Sequence, residues 1–110
     1  MEKPVKGDIM ILHFPFSDLS STKKRPALVV ANLKGDDVIL AQITSNKKSD
    51  MYSINLNKKD FQKGQLDLDS YIRPNRLFTA DKSLFLYKIG TIKQTKIKQS
   101  EKELIKIFTN

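Results

Sequence analysis

The apolar and polar positions in the first 44 residues predict three β-strands. In residues 7–16 the odd and even positions are both mostly apolar, which predicts a strand that is covered on two faces. Residues 27–32 and 38–44 form two further apolar runs rich in β-branched side chains, and the turn-forming residues 34–37 between them predict a hairpin. We expect the polar residues 17–24 to form a loop.

The middle of the chain predicts three more strands. Residues 52–56 alternate between apolar and polar side chains, as a short edge strand does. Residues 58–63 are expected to form a single helical turn. Residues 69–80 predict a strand that Pro74 interrupts, and residues 85–93 predict the last strand.

The C-terminus changes to a helical period. Ser100 and Glu103 have the spacing of a capping box, so the helix is expected to start at Ser100. Apolar residues recur here at helical spacing and form a stripe along one side of the predicted helix. They are Ile97, Leu104, Ile105 and Phe108. Several short strands followed by one helix predict a mainly β fold, a small barrel with a C-terminal α-helix.

Length and charge narrow the class of protein. The chain has 110 residues, and the expectation is a single domain over residues 1–110. Lysine and arginine number 20 against 12 acidic residues, for a net charge of +8. Such a charge favours a polyanionic partner such as RNA, DNA, an acidic protein or an anionic membrane, although a solubilising lysine surface is the alternative.

The composition excludes several kinds of chemistry. The chain has no cysteine and one histidine, His13, which excludes thiol catalysis, a paired-histidine ribonuclease and a His-rich metal site. There is no glycine-rich phosphate loop and no carboxylate cluster of metal-binding spacing, so no metal or cofactor is expected. The N-terminus lacks a signal peptide and no apolar stretch reaches membrane-spanning length, so a cytoplasmic protein is expected.

One candidate functional segment is Lys23-Lys24-Arg25-Pro26, expected where the polar loop meets the second strand. Pro26 disfavours a helical conformation at Arg25. An arginine held in this way offers a fixed fork of donors to a phosphate. The alternative is a set of charged residues that flank a hydrophobic strand and protect it from aggregation.

Two other segments carry candidate nucleic-acid contacts. The third strand ends in hydroxyl, amide and ammonium groups, which suit a phosphate oxygen or a base edge, or only a polar loop. These residues are Thr44, Ser45, Asn46 and Lys47. The later segment offers an aromatic ring to stack on a base and groups to hold the backbone, or it is a solvated edge strand. Its residues are Tyr71, Arg73, Asn75 and Arg76.

Taken in order, several segments resemble the MazF/PemK (Kid) family of toxin–antitoxin ribonucleases. The resemblance runs from about Gly7 to the end of the chain. Its most specific part is the Arg-Pro-Ala-Leu-Val block after the polar loop. The matching segments are Gly7-Asp8-Ile9, Lys24-Arg25-Pro26-Ala27-Leu28-Val29-Val30, Gln42-Ile43-Thr44-Ser45, Ser70-Tyr71-Ile72-Arg73, Asp81-Lys82-Ser83 and Lys88-Ile89-Gly90.

The resemblance implies a fold and partners. The fold would be the SH3-like barrel shared by CcdB, MazF and PemK, and the protein would be a homodimer. It would cut single-stranded RNA, mostly messenger RNA, at a short sequence and without the ribosome. Its protein partner would be an acidic antitoxin, and operator DNA would be bound only by the toxin–antitoxin complex.

The resemblance also assigns residues. Arg25 matches the catalytic arginine of the family and Thr44 its catalytic threonine. Arg73 matches an arginine that some members use for catalysis together with an aspartate two residues later. Here that position is Asn75, and an amide is not a base, which favours a mechanism centred on Arg25 and Thr44.

The expected reaction uses the 2′-hydroxyl of RNA as the nucleophile, and would leave a 2′,3′-cyclic phosphate and a 5′-hydroxyl without a metal ion. The sequence assigns no proton acceptor, and Asp18 and Glu2 are the two carboxylates considered for this role. Two other functions fit the same basic barrel. One is a binding module without catalysis, and the other is a gyrase poison like CcdB.

Overall fold

The computed structural model describes residues 2–15, 22–46 and 50–110. Within those residues it has seven β-strands and one α-helix, with short 3₁₀ helices at Lys58–Asp60 and Lys82–Leu84. The strands and the helix are β1 (Asp8–Pro15), β2 (Thr22–Asn32), β3 (Asp37–Thr44), β4 (Ile54–Leu56), β5 (Phe61–Gly64), β6 (Ser70–Asp81), β7 (Phe85–Ile92) and α1 (Gln94–Thr109).

The seven strands form one antiparallel sheet in the order β4-β6-β3-β2-β1-β7-β5. The sheet curls into a half-barrel, with α1 following its last strand. The predicted fold, a mainly β SH3-like barrel with a C-terminal helix, is therefore confirmed.

Each face of the sheet carries an apolar core. One core contains Ile9 and Ile72, and the helix residues Ile97 and Leu104 pack against it. The other core contains Met10 and residues from β2, β3 and β7. Since neighbouring residues of β1 enter different cores, the prediction of a strand covered on both faces is confirmed.

The start of β2 differs from the prediction of a loop through residue 24. Lys23 and Lys24 are part of β2 and lie opposite Phe14 and His13 of β1. Pairing with β1 gives the backbone its hydrogen bonds, so polar side chains at these positions do not prevent a strand. Arg25 therefore lies inside β2 rather than at the end of a loop.

The helix start also differs from the prediction. α1 begins at Gln94, six residues before Ser100. Ser100 is buried, and its hydroxyl donates to the carbonyl of Lys96 at 2.9 Å, so it bonds back to the preceding turn instead of capping the helix. Of the predicted apolar stripe, Ile105 and Phe108 are exposed.

The predicted helical turn at residues 58–63 is only partly present. A 3₁₀ helix covers Lys58–Asp60, and β5 follows it and pairs with β7. The two strands approach closely at glycines: a Cβ on Gly90 would lie 2.4 Å from the carbonyl oxygen of Lys63. The pairing of β5 with β7 therefore needs glycine at position 90. Because this contact joins distant parts of the chain, the local helical pattern of residues 58–63 does not predict it.

Candidate functional site

Polar side chains from four adjacent strands lie at one end of the sheet. Tyr71 of β6 lies between Thr44 of β3 and Asn55 of β4, and is paired directly with each of them. Directly paired residues project their side chains to the same face of a sheet. These three side chains therefore form a line across β3, β6 and β4.

Arg25 extends this line onto β2. The β2–β3 ladder ends at the pair of Ala27 and Gln42, and Arg25 and Thr44 each lie two residues beyond that pair. Side chains two residues apart on a strand share a face, and adjacent strands lie about 4.8 Å apart. We call the side chains of Arg25, Thr44, Tyr71 and Asn55 the polar row.

The hydroxyl of Thr44 has a defined hydrogen bond. It accepts the backbone N–H of Asn46 at 3.1 Å. A hydroxyl that accepts one bond still carries a proton that it can donate. Thr44 is half-buried, as Arg25 and Tyr71 are, so each of the three residues keeps part of its surface accessible.

A bulge in β6 lies next to the polar row. Arg73 is paired with Gln42, but the next β3 residue, Ala41, is paired with Leu77. The three β6 residues 74–76 are therefore extra in the ladder, which confirms the predicted interruption at Pro74. Bulges commonly change the direction of side chains near functional sites.

Asp50 links this bulge to the connection between β3 and β4. Its Oδ2 accepts hydrogen bonds from Asn75 Nδ2 at 2.9 Å and from Arg73 Nη2 at 3.1 Å. Its Oδ1 accepts the backbone N–H of Tyr52 at 3.0 Å and the hydroxyl of Ser53 at 3.3 Å. We call Asp50, Arg73 and Asn75 the Asp50 cluster.

These donors change the acidity of Asp50. The hydrogen bond from Asn75, followed by those from the Tyr52 backbone and Arg73, lowers the pKa of Asp50 from 3.8 to about 2. Hydrogen bonds to the ionised form stabilise it. At neutral pH Asp50 is therefore a carboxylate with little tendency to take up a proton.

The lowered pKa predicts an acid-sensitive contribution to stability. Because the pKa is lower in the folded protein, the contribution is complete above about pH 4 and is lost as the pH falls through 2. The side chains of Arg73 and Asp50 are 26% and 33% exposed. Solvent screening therefore limits the contribution of the Asp50 carboxylate to the free energy of unfolding to about 1 kcal/mol. Urea unfolding at pH 6 and pH 2.5 measures it: the difference between the wild type and Asp50→Asn should shrink at pH 2.5, and a constant difference contradicts the assignment.

A cavity of about 360 Å³ adjoins Arg25. Its polar lining includes Lys24, Ser45, Asp67 and Ser70 besides Arg25. Lys24, Ser45 and Ser70 are the strand neighbours of Arg25, Thr44 and Tyr71, so most of this cavity lies on the face of the sheet opposite to the polar row. Of the two proposed proton acceptors, Glu2 lines a different cavity, with Asp8 and Lys88, and Asp18 lies outside the described residues. The prediction for Glu2 thus finds no support in its position, whereas Asp67 lies at the Arg25 cavity and was not selected from the sequence.

Most of the other predicted RNA contacts are exposed. Lys23, Lys24, Ser45, Asn46 and Arg76 are exposed, while Lys47 lies outside the described residues. Sequence reasoning missed Asp50, which is 23 residues from Arg73 and has no spacing that marks it.

Within the described residues, no three acidic, histidine or cysteine side chains are grouped to hold a metal ion, and no helix is long and apolar enough to cross a membrane.

Comparison with known proteins identifies the family. A family model described as the PemK-like, MazF-like toxin of type II toxin–antitoxin systems matches residues 5–108. The chain belongs to this family. The MazF-like resemblance read from the sequence motifs is therefore confirmed, and it extends over nearly the whole chain. Among curated proteins, no sequence matches significantly.

Solved structures share the MazF-like fold at low sequence identity. MazF of a MazE–MazF complex from Deinococcus radiodurans has a TM-score of 0.75 at 15% identity, with 98% of each chain covered. MazF alone from the same organism has a TM-score of 0.74 at 16% identity, with 100% of each chain covered. An endoribonuclease in complex with its cognate antitoxin, from a mycobacterial species, has a TM-score of 0.74 at 16% identity, covering 96% of this chain and 95% of that one.

Proposed function

We propose that this MazF-like toxin is an endoribonuclease that cuts single-stranded RNA, chiefly messenger RNA, at a specific sequence without the ribosome or a metal ion. The observation that carries the proposal is the polar row, which presents a guanidinium, a hydroxyl and an aromatic ring on one face of the sheet. Family membership supports it. The products would be a 2′,3′-cyclic phosphate and a 5′-hydroxyl.

The groups of the polar row suit the transition state of this reaction. Attack of the 2′-hydroxyl on phosphorus places additional negative charge on the phosphoryl oxygens. Arg25 provides a positive charge with several N–H donors, and Thr44 provides a hydroxyl donor on the adjacent strand. Preorganised donors of this kind are each worth about 2–4 kcal/mol of transition-state stabilisation.

The surroundings of the row suit binding of a single strand. Tyr71 of β6 lies beside Thr44 of β3. From this position its ring can stack on a base next to the scissile phosphate. Basic and polar residues along these strands are proposed to contact the RNA. They are Lys23, Lys24, Ser45, Asn46, Lys47, Arg73, Asn75 and Arg76. The net charge of +8 draws the polyanion towards this surface.

The same charge suits a protein partner. We infer that an acidic antitoxin binds the toxin and blocks RNA, and that the toxin is a homodimer in the cytoplasm. The D. radiodurans MazF with similar fold is in complex with MazE, which supports such a partner. Operator DNA would be bound only by the complex of toxin and antitoxin.

A metal-free cleavage assay tests the proposed function. The purified protein is incubated with single-stranded RNA in EDTA, and the products are separated and their ends analysed. A defined ladder with cyclic phosphate ends is expected. A mobility shift without cleavage would instead indicate a binding module, and inhibited DNA supercoiling with intact RNA would indicate a gyrase poison.

A further inference from the structure

The Asp50 cluster joins two distant parts of the chain through one carboxylate. Asp50 lies in the connection between β3 and β4, while Arg73 and Asn75 lie on either side of Pro74 in β6. Asp50 Oδ2 accepts from both of these side chains, at 3.1 and 2.9 Å. The other oxygen accepts from Tyr52 and Ser53 in the turn that leads to β4. Four donors thus hold one carboxylate in a single orientation.

We propose that Asp50 is a positioning residue for the ribonuclease: it holds the Arg73 guanidinium beside the polar row, where Arg73 contacts a phosphate of the bound RNA. This inference rests on the proposed function. It differs from the sequence-based interpretation, in which Asn75 removes the carboxylate partner of Arg73. The carboxylate is supplied from another part of the chain, and Asn75 binds it.

The location of Arg73 supports a contact with the substrate. Arg73 is paired with Gln42, and Tyr71 with Thr44, so the two pairs are consecutive on the same face. Two residues along a strand span about 7 Å. The guanidinium has five N–H donors, and its hydrogen bond to Asp50 uses one nitrogen, Nη2.

The geometry favours positioning over proton transfer by Asp50. Both carboxylate oxygens already accept hydrogen bonds, and the low pKa makes the group a weak base. A purely local role in the turn is also insufficient as an explanation. The turn uses Oδ1, whereas Oδ2 is directed to Arg73 and Asn75.

A double-mutant cycle tests whether the effect of Asp50 on RNA cleavage depends on Arg73. Cleavage of RNA is measured for the wild type, Asp50→Asn, Arg73→Ala and the double variant. Asp50→Asn keeps an acceptor for the turn, and should lower kcat by about 10- to 100-fold and raise KM, because a displaced Arg73 guanidinium weakens its contact with the phosphate. In the Arg73→Ala background the same change should have almost no further effect. Equal losses in both backgrounds, or no loss in Asp50→Asn, would overturn the inference.

Exchanging the two side chains gives a stronger test. Asp50→Asn combined with Asn75→Asp moves the carboxylate to β6 and the amide to the β3–β4 connection. If Arg73 needs one adjacent carboxylate, the combined variant should recover to within about 5-fold of the wild type. Failure to recover in a variant with wild-type thermal stability contradicts the proposal. Asp36→Asn is the matched control, since it removes the carboxylate of an exposed ion pair with Lys82, and it should cleave like the wild type.

A binding readout separates this inference from the proposed function. The same variants are titrated with RNA that carries a 2′-deoxy nucleotide at the cleavage position. An inactive wild type disproves the ribonuclease, and with it the positioning role. If the wild type cleaves, equal kcat in Asp50→Asn and the wild type disproves the role of Asp50 alone. Weaker binding in Arg73→Ala supports the phosphate contact, and unchanged binding and cleavage in that variant contradict it.

Discussion

Arg25→Ala is expected to lower kcat/KM for cleavage of single-stranded RNA in EDTA by about 10³-fold, which is roughly 4 kcal/mol of transition-state stabilisation. In the proposed mechanism the side chain of half-buried Arg25 faces the developing charge from a paired strand, so it would need no reorganisation during the reaction. Loss of the whole fork removes the positive charge and its donors together. Initial rates on one defined oligonucleotide measure the effect.

Two control variants separate this role from general charge and from stability. Arg25→Lys keeps the charge but loses the planar fork, and should recover only part of the activity. Lys102→Ala removes one exposed charge from α1 and should cleave like the wild type. Full activity of Arg25→Ala, or an equal loss in Lys102→Ala, would contradict a catalytic role for Arg25. Thermal unfolding of each variant establishes that the fold is retained.

A single 2′-deoxy nucleotide at the cleavage position is expected to abolish cleavage, with a loss of at least about 10⁴-fold. The 2′-hydroxyl is the intramolecular nucleophile of the proposed reaction, and aligned intramolecular attack is the largest rate advantage that RNA offers. Neither a metal-bound water nor a protein nucleophile replaces it in the proposed mechanism. Gel analysis of a chimeric oligonucleotide measures the loss.

The control for this substitution is another deoxynucleotide. A 2′-deoxy nucleotide one position away from the scissile phosphate should permit cleavage, and both oligonucleotides should bind with similar affinity. Persistent cleavage at the deoxy position would show that the nucleophile is something other than the adjacent hydroxyl. That result would remove the predicted cyclic phosphate, while leaving the nuclease activity itself in place.

Most of the fold follows from local pattern. The strands around residues 8–15, 27–32 and 38–44 were predictable because apolar and β-branched residues recur at strand spacing. The two errors in strand assignment occur where long-range pairing overrides local preference, whereas the wrong helix start at Ser100 is a local one. Polar Lys23 and Lys24 join β2 because β1 pairs with them, and the segment Phe61–Gly64 becomes a strand because β7 accepts it.

Some residues of the candidate site are predicted by the sequence, and others are shown only by the structure. Arg25 and Thr44 were selected from the family motifs, and the register of β2 and β3 brings them to one face. Tyr71 was proposed as a base-stacking residue, and β6 places it beside Thr44. No motif marks Asp67 or Asp50 in the sequence, since each reaches its neighbours only through the folded sheet.

The strand and helix periods, the family and the residue types available for chemistry can be read from the sequence alone, since these depend on side chains close together along the chain. Which distant residues meet is set by the folded sheet. A carboxylate 23 residues from Arg73 approaches it because the β3–β4 connection brings Asp50 to the bulge in β6. Hydrogen bonds between such residues depend on three-dimensional distance, which sequence separation does not specify.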